Sequence, residues 1–251
     1  MSRRDATKPS PPEPSSTDRL HALRSAVDAI GTIRPVLLRL PWSGARYTII
    51  QPTDTDVLLD RVANDPEQNL PYWSEIWPSG IALADAITRQ PRALREKRVL
   101  EIGSGLGVTA IAAMRAGADL TVADYSLDSL SLCCLNVLQN AGREPVPRRL
   151  NWRDPDRELF TLAGAGFPVV LAADLLYEER DIDPLLKLVD HLVAADGLLW
   201  LAEPGRPVAA RFLAAAKASG WQIVSRSHPG PWPDPKDDWI VVGLHKLRRQ
   251  P

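Results

Sequence analysis

Cysteine is nearly missing from this chain of 251 residues: Cys133 and Cys134 are the only two, and they stand side by side. Adjacent thiols inside a helical pattern cannot make a disulfide framework and lack the spaced ligands of a zinc site. Two buried thiols in a reducing compartment are the expected use. Long apolar runs are missing too. No stretch reaches the roughly 18 residues that a membrane helix needs, so no membrane span is expected. Nor does charge of one sign prevail, since 30 Lys and Arg stand against 31 Asp and Glu. Without an overall field to draw the chain onto a polyanion, no nucleic-acid partner is expected. The four histidines show neither metal-ligand nor triad spacing, which predicts no metal and no catalytic histidine. Ser2-Arg3-Arg4 is followed by a proline-rich polar stretch where an export signal would be apolar. Residues 1–17 therefore read as a disordered tail, and the protein is expected to be cytoplasmic.

What is present suits one α/β core, with 45% hydrophobic residues. Residues 18–70 read as a prefix: an amphipathic helix carrying Leu20, Leu23, Val27 and Ile30, a hairpin over 35–40 and 46–51, and a helix capped by Asp54. Residues 71–251 read as the main domain. Strand patterns at 98–102, 119–123, 146–150, 169–173, 198–202, 222–225 and 239–244 alternate with helical patterns at 108–116, 127–140, 180–195 and 206–219. The first five strands are mostly apolar runs, as strands covered by helices on both faces should be. This predicts a doubly wound, seven-stranded Rossmann-like sheet. No helix pattern separates the last two strands, so they are expected to pair antiparallel at one edge.

Chemistry concentrates in Glu101-Ile102-Gly103-Ser104-Gly105-Leu106-Gly107, a buried strand running into three glycines that open a helix. Such a turn lets backbone approach a ligand closely, and amides at the helix start favour an anionic group. A dinucleotide turn would read Gly-x-Gly-x-x-Gly, whereas the third glycine here comes one residue early. That spacing points to S-adenosyl-L-methionine. Asp124 ends the second strand, 17 residues after Gly107, within reach of a ribose diol. Alone it would read as a helix cap; beside the glycine turn it reads as a sugar ligand. Asn151 and Trp152 close the third strand, where an amide can read an adenine edge and an indole can cover its face.

The fourth strand runs through Ala173 into Asp174-Leu175-Leu176-Tyr177, on the side where a transferable methyl should lie. Asp174 is the candidate to orient an acceptor amine, and Tyr177 the candidate to present a hydroxyl or ring face to it. The Asn-Pro-Pro-Tyr arrangement of many amide methyltransferases is missing.

Asp174-x-x-Tyr177 resembles the signature of the seven-strand protein methyltransferases of family 16. Two further segments, Pro71-Tyr72-Trp73-Ser74-Glu75-Ile76-Trp77-Pro78 and Ala202-Glu203-Pro204-Gly205-Arg206, are similar to the lysine methyltransferase group that modifies the electron-transfer flavoprotein β subunit. Glu203 stands where that group has aspartate. The resemblance spans about residues 35–250. It implies the class I methyltransferase fold, packing of Trp77 over the cofactor, and methylation of lysine in a protein substrate such as a flavoprotein subunit or a ribosomal or translation protein. A small-molecule amine as acceptor and a silent cofactor-binding partner protein are the alternatives. The proline-rich loop at 227–238 reads as a connector or as a flank of the acceptor mouth.

Overall fold

The computed structural model describes residues 16–67 and 69–249. Residues 1–15 of the expected tail lie outside them, and Ser16 and Thr17 already belong to helix α1 (Ser16–Asp28). Leu23, Val27 and Ile30 recur at helical spacing and are all buried. Strands β1 (Ile33–Arg39) and β2 (Arg46–Pro52) form the antiparallel hairpin. Asp54 then caps α2 (Thr55–Val62) by accepting the Val57 amide.

The main unit runs α3 (Pro78–Arg89), β3 (Arg98–Ile102), α4 (Val108–Arg115), β4 (Asp119–Asp124), α5 (Leu127–Ala141), β5 (Val146–Arg149), α6 (Arg157–Ala163) and β6 (Phe167–Ala173). It continues with α7 (Ile182–Leu192), β7 (Val193–Glu203), α8 (Pro207–Ala218), β8 (Trp221–His228) and β9 (Val242–Arg249). Its seven strands lie in the order β5-β4-β3-β6-β7-β9-β8. All pair in parallel except β9, which enters antiparallel between β7 and β8.

Alternation along the strands divides the core in two. Val99, Val169, Leu171 and Trp200 face the layer that holds α3, α4 and α5. Leu100, Ile102, Val170, Leu199 and Leu201 face α6, α7 and α8. The hairpin adds Leu38, Tyr47 and Ile49 to the first layer. Two buried polar side chains fasten it there. Asp85 on α3 accepts the Trp42 and Ser43 amides at 2.8 and 2.9 Å. Asn136 on α5 accepts the Ile50 amide at 2.7 Å and donates to the carbonyls of Ile50 and Leu106 at 3.1 and 2.9 Å.

Four elements differ from the expectation. Helix α3 is buried over nearly its whole circumference and so shows no polar stripe. Helix α6 has seven residues, too few for a periodic signal. Strand β7 begins at Val193, which cuts short the helix expected over 180–195. The last strand starts at Val242 instead of Trp239: the Ile240 amide donates to the Asp237 carbonyl at 2.8 Å, and the Trp232 indole donates to the Ile240 carbonyl at 2.8 Å. These bonds keep 239–241 in the loop, and Trp239 is 79% exposed. In compensation β9 takes in Lys246, whose ammonium lies 4.1 Å from the Trp200 ring centre. No helix among the described residues is long and apolar enough to cross a membrane.

Candidate active site

Strand β3 has β4 on one side and β6 on the other, so successive crossovers leave it in opposite directions. Ligands of doubly wound sheets bind in the crevice this opens beyond the carboxyl ends of the strands. A cavity of about 570 Å³ lies there. Glu101, Gly103, Ser104, Gly105, Asp124, Trp152, Ala173, Asp174, Tyr177 and Trp77 all line it. Ten of the twelve residues singled out in the sequence thus meet around one space. Gly107 and Asn151 do not line it. Gly107 is the left-handed N-cap of α4, and Asn151 faces a neighbouring depression, donating to Glu67 Oε1 at 2.6 Å.

The glycine turn is dictated by space as well as by conformation. Gly103, Gly105 and Gly107 have φ of 67°, 49° and 83°, values that side chains other than glycine rarely tolerate. A Cβ on Gly107 would stand 3.0 to 3.3 Å from Cys133, including its backbone, and one on Gly105 would stand 3.4 Å from the Trp73 carbonyl. The first three amides of the turn point to the end of β4 instead of into the cavity. Those of Gly103 and Ser104 donate to the Ala123 carbonyl at 2.7 and 3.3 Å. That of Gly105 donates to Asp124 Oδ2 at 3.0 Å. Asp124 also accepts the Ser126 amide at 3.0 Å. The first three amides of the turn are therefore folded onto the end of β4, and buried polar side chains add to its ligand capacity.

Glu101 is the chief of these. Its carboxyl is buried, and Oε2 has no hydrogen-bond partner among the described residues. Burial first, and then repulsion from Asp124, push its pKa well above the ordinary 4.5. Burial also raises Asp124, against the opposing pull of its amide bonds. The Ser104 hydroxyl is likewise buried and without a partner among the described residues. An ammonium-bearing ligand with a vicinal diol fits this set: the cation would offset the Glu101 desolvation, and Asp124 has remaining lone pairs for hydroxyls.

The other end of the cavity differs in chemistry. Asp174 has φ of 59°, a left-handed conformation that costs a non-glycine residue roughly 1–3 kcal/mol. Its side chain is 8% exposed and pairs through Oδ1 with Arg206, whereas Oδ2 has no partner among the described residues. Tyr177 packs edge-on against Tyr72 with ring centres 5.3 Å apart, and Tyr72 against Trp77 at 6.3 Å. Burial, then nearby carboxylates, raise the Tyr177 phenol far above its usual value. Trp152 contributes ring surface while its indole donates to Asp181 Oδ1 at 2.9 Å.

Sequence reasoning missed one part of the wall and, outside it, the partner of Asp174. Leu58, Arg61, Val62 and Asp65 line it from the prefix, although nothing in their pattern sets them apart from an ordinary amphipathic helix and turn. Arg206 gave only a weak signal, as a member of the Glu203-Pro204-Gly205-Arg206 segment. Among the described residues no group of three or more His, Cys, Asp or Glu is placed to hold a metal ion.

Strand order, the one reversed strand and a crevice at the switch between β3 and β6 define the seven-stranded, Rossmann-like fold of the class I methyltransferases. Magnesium protoporphyrin IX methyltransferase from Synechocystis PCC 6803, solved with bound SAM, shares the fold with a TM-score of 0.51 at 15% identity, over 78% of this chain and 98% of that one. The model of the lysine methyltransferase family matches residues 64–217, and the chain belongs to that family. The mouse electron transfer flavoprotein beta subunit lysine methyltransferase is 31% identical over 140 residues, 55% of this chain and 52% of the relative. Zebrafish protein N-lysine methyltransferase METTL21A is 26% identical over 174 residues, 68% of this chain and 75% of the relative. The chain thus spans about half the length of the mouse relative.

Proposed function

We propose that the protein transfers methyl groups from S-adenosylmethionine to lysine side chains of a protein substrate. One observation carries this reading: the cavity has two chemically distinct ends, a cation- and diol-binding end at Glu101, Ser104 and Asp124, and an aromatic end where Asp174 offers one buried, unused oxygen. When bound, S-adenosylmethionine supplies an electrophilic methyl group on a sulfonium.

The chain's own work is positional. A lysine has a pKa near 10.4, so presenting it neutral at pH 7.4 costs roughly 4 kcal/mol. Desolvation against Tyr72, Tyr177 and Trp77 lowers that cost by disfavouring the ammonium. Asp174 Oδ2 accepts a hydrogen of the amine and turns its lone pair toward the donor, while the displaced proton leaves to water. Tyr177 remains protonated and meets the substrate with its hydroxyl and ring face.

Family membership and relatives named for lysine methylation support a protein acceptor. A flavoprotein subunit, as in the mouse relative's name, or a translation factor, as in mouse EEF1A lysine methyltransferase 3, is the proposed substrate class. The two free thiols suit action in the reducing cytoplasm. Incubation of the purified chain with tritiated S-adenosylmethionine and a lysate of its own organism should label one protein band at lysine. Label confined to small metabolites would move the reading to a small-molecule amine.

A further inference from the structure

Glu203, the last residue of β7, is buried and uses both carboxylate oxygens. Oε2 accepts the Gly205 amide at 2.6 Å, and Oε1 lies 3.1 Å from His245 Nε2 on β9. The other ring nitrogen, Nδ1, lies 2.7 Å from Ser225 Oγ on β8. A chain of hydrogen bonds therefore crosses three neighbouring strands and ends at the turn after β7. There Gly205, with φ of 82°, reverses the backbone, and the next residue is Arg206, whose guanidinium holds Asp174 Oδ1.

The strand opposite makes room for this arrangement. Gly243 faces Glu203 in the β7–β9 register, and a Cβ there would stand 2.5 Å from both Glu203 Oε1 and His245 Nε2. Its φ is not in the left-handed region, so glycine serves here for space alone. Glutamate suits position 203 because its carboxylate must reach both the Gly205 amide and a histidine on the next strand.

Buried pairs of this kind add little net stability, because desolvation cancels most of their attraction. They do fix geometry. We infer that Glu203 and His245 are positioning residues: they set the turn that aims Arg206 at Asp174, so that Oδ1 is held and Oδ2 is left to face the incoming amine. This rests on the reading of Asp174 as the acceptor-site carboxylate.

The test uses the full chain with Glu203→Gln, Gly243→Ala and His245→Gln, each alone and combined with Asp174→Asn. Rates of tritium transfer into the lysate protein labelled by the wild type are measured at saturating S-adenosylmethionine, alongside calorimetric affinity for S-adenosylhomocysteine and the Gly205 amide signal by NMR. Each single variant should displace the Gly205 signal, keep the product affinity and lower transfer about 10- to 100-fold, the scale expected when a reacting group is misplaced by about 1 Å. In the Asp174→Asn background the same changes should add nothing, because the pathway they act through is already gone. Should Gly243→Ala fail to fold, the isosteric Glu203→Gln carries the test. Unchanged transfer in a folded variant whose Gly205 signal has moved overturns the positioning role, as do losses that multiply with Asp174→Asn. A wild-type chain that labels no protein overturns the methyltransferase reading instead.

Discussion

Gly105 donates its amide to the Asp124 carboxylate at 3.0 Å, which makes the glycine turn and the end of β4 one hydrogen-bonded unit. Ser129 on α5 adds a second tie by donating to the Gly105 carbonyl at 3.1 Å. Changes to the turn will therefore be felt in folding as well as in binding.

Gly107→Ala is expected to destabilise the chain by about 1–3 kcal/mol, since the residue must keep a left-handed φ and its new methyl would press on the Cys133 backbone. A melting curve measures the first effect. Calorimetry with S-adenosylhomocysteine should show weaker binding in the fraction that folds.

Glu101 makes stability depend on pH in a defined direction. Its folded-state pKa lies well above 4.5, so the folded chain retains a proton that the unfolded chain has released. The stability this confers is fully present below about 4.5 and is lost as pH rises through the folded value. Glu101→Gln is neutral at every pH. Its melting temperature should fall less than that of the wild type between pH 5 and pH 8 without ligand, and equal falls would show that Glu101 does not titrate in this range.

Asp174→Ala is expected to cut methyl transfer about 100-fold or more by removing the amine's orienting oxygen. Affinity for S-adenosylhomocysteine, read by calorimetry, should stay as in the wild type. A large loss of that affinity would instead make Asp174 a cofactor ligand.

Asn136→Ala should cost about 1–3 kcal/mol, the penalty of leaving buried backbone groups unbonded. The carbonyls of Ile50 and Leu106 and the Ile50 amide all lose their partner at once. Hydrogen exchange should rise first in β2. Even exchange across the whole chain would mean that the hairpin and the sheet open together.

The sequence by itself determined most of the sheet, because the central strands are mostly apolar runs and several helices between them carry a repeating stripe, whereas the edge strand β5, expected to be covered on both faces, is largely exposed. It also determined one wall of the cavity: Glu101, Gly103, Gly105 and Asp124 lie at strand ends and in a glycine turn whose geometry is written in adjacent residues. Tertiary structure alone decided what each turn amide bonds, that the segment from Leu58 to Asp65 closes the cavity, and that Arg206 meets Asp174 across 32 positions of sequence. His245 makes the same point. As a lone histidine in a strand it carries no pattern, and only the lateral register of β7, β8 and β9 places it between Glu203 and Ser225. Contacts made sideways between strands join residues of unrelated spacing, so no periodicity along the chain records them.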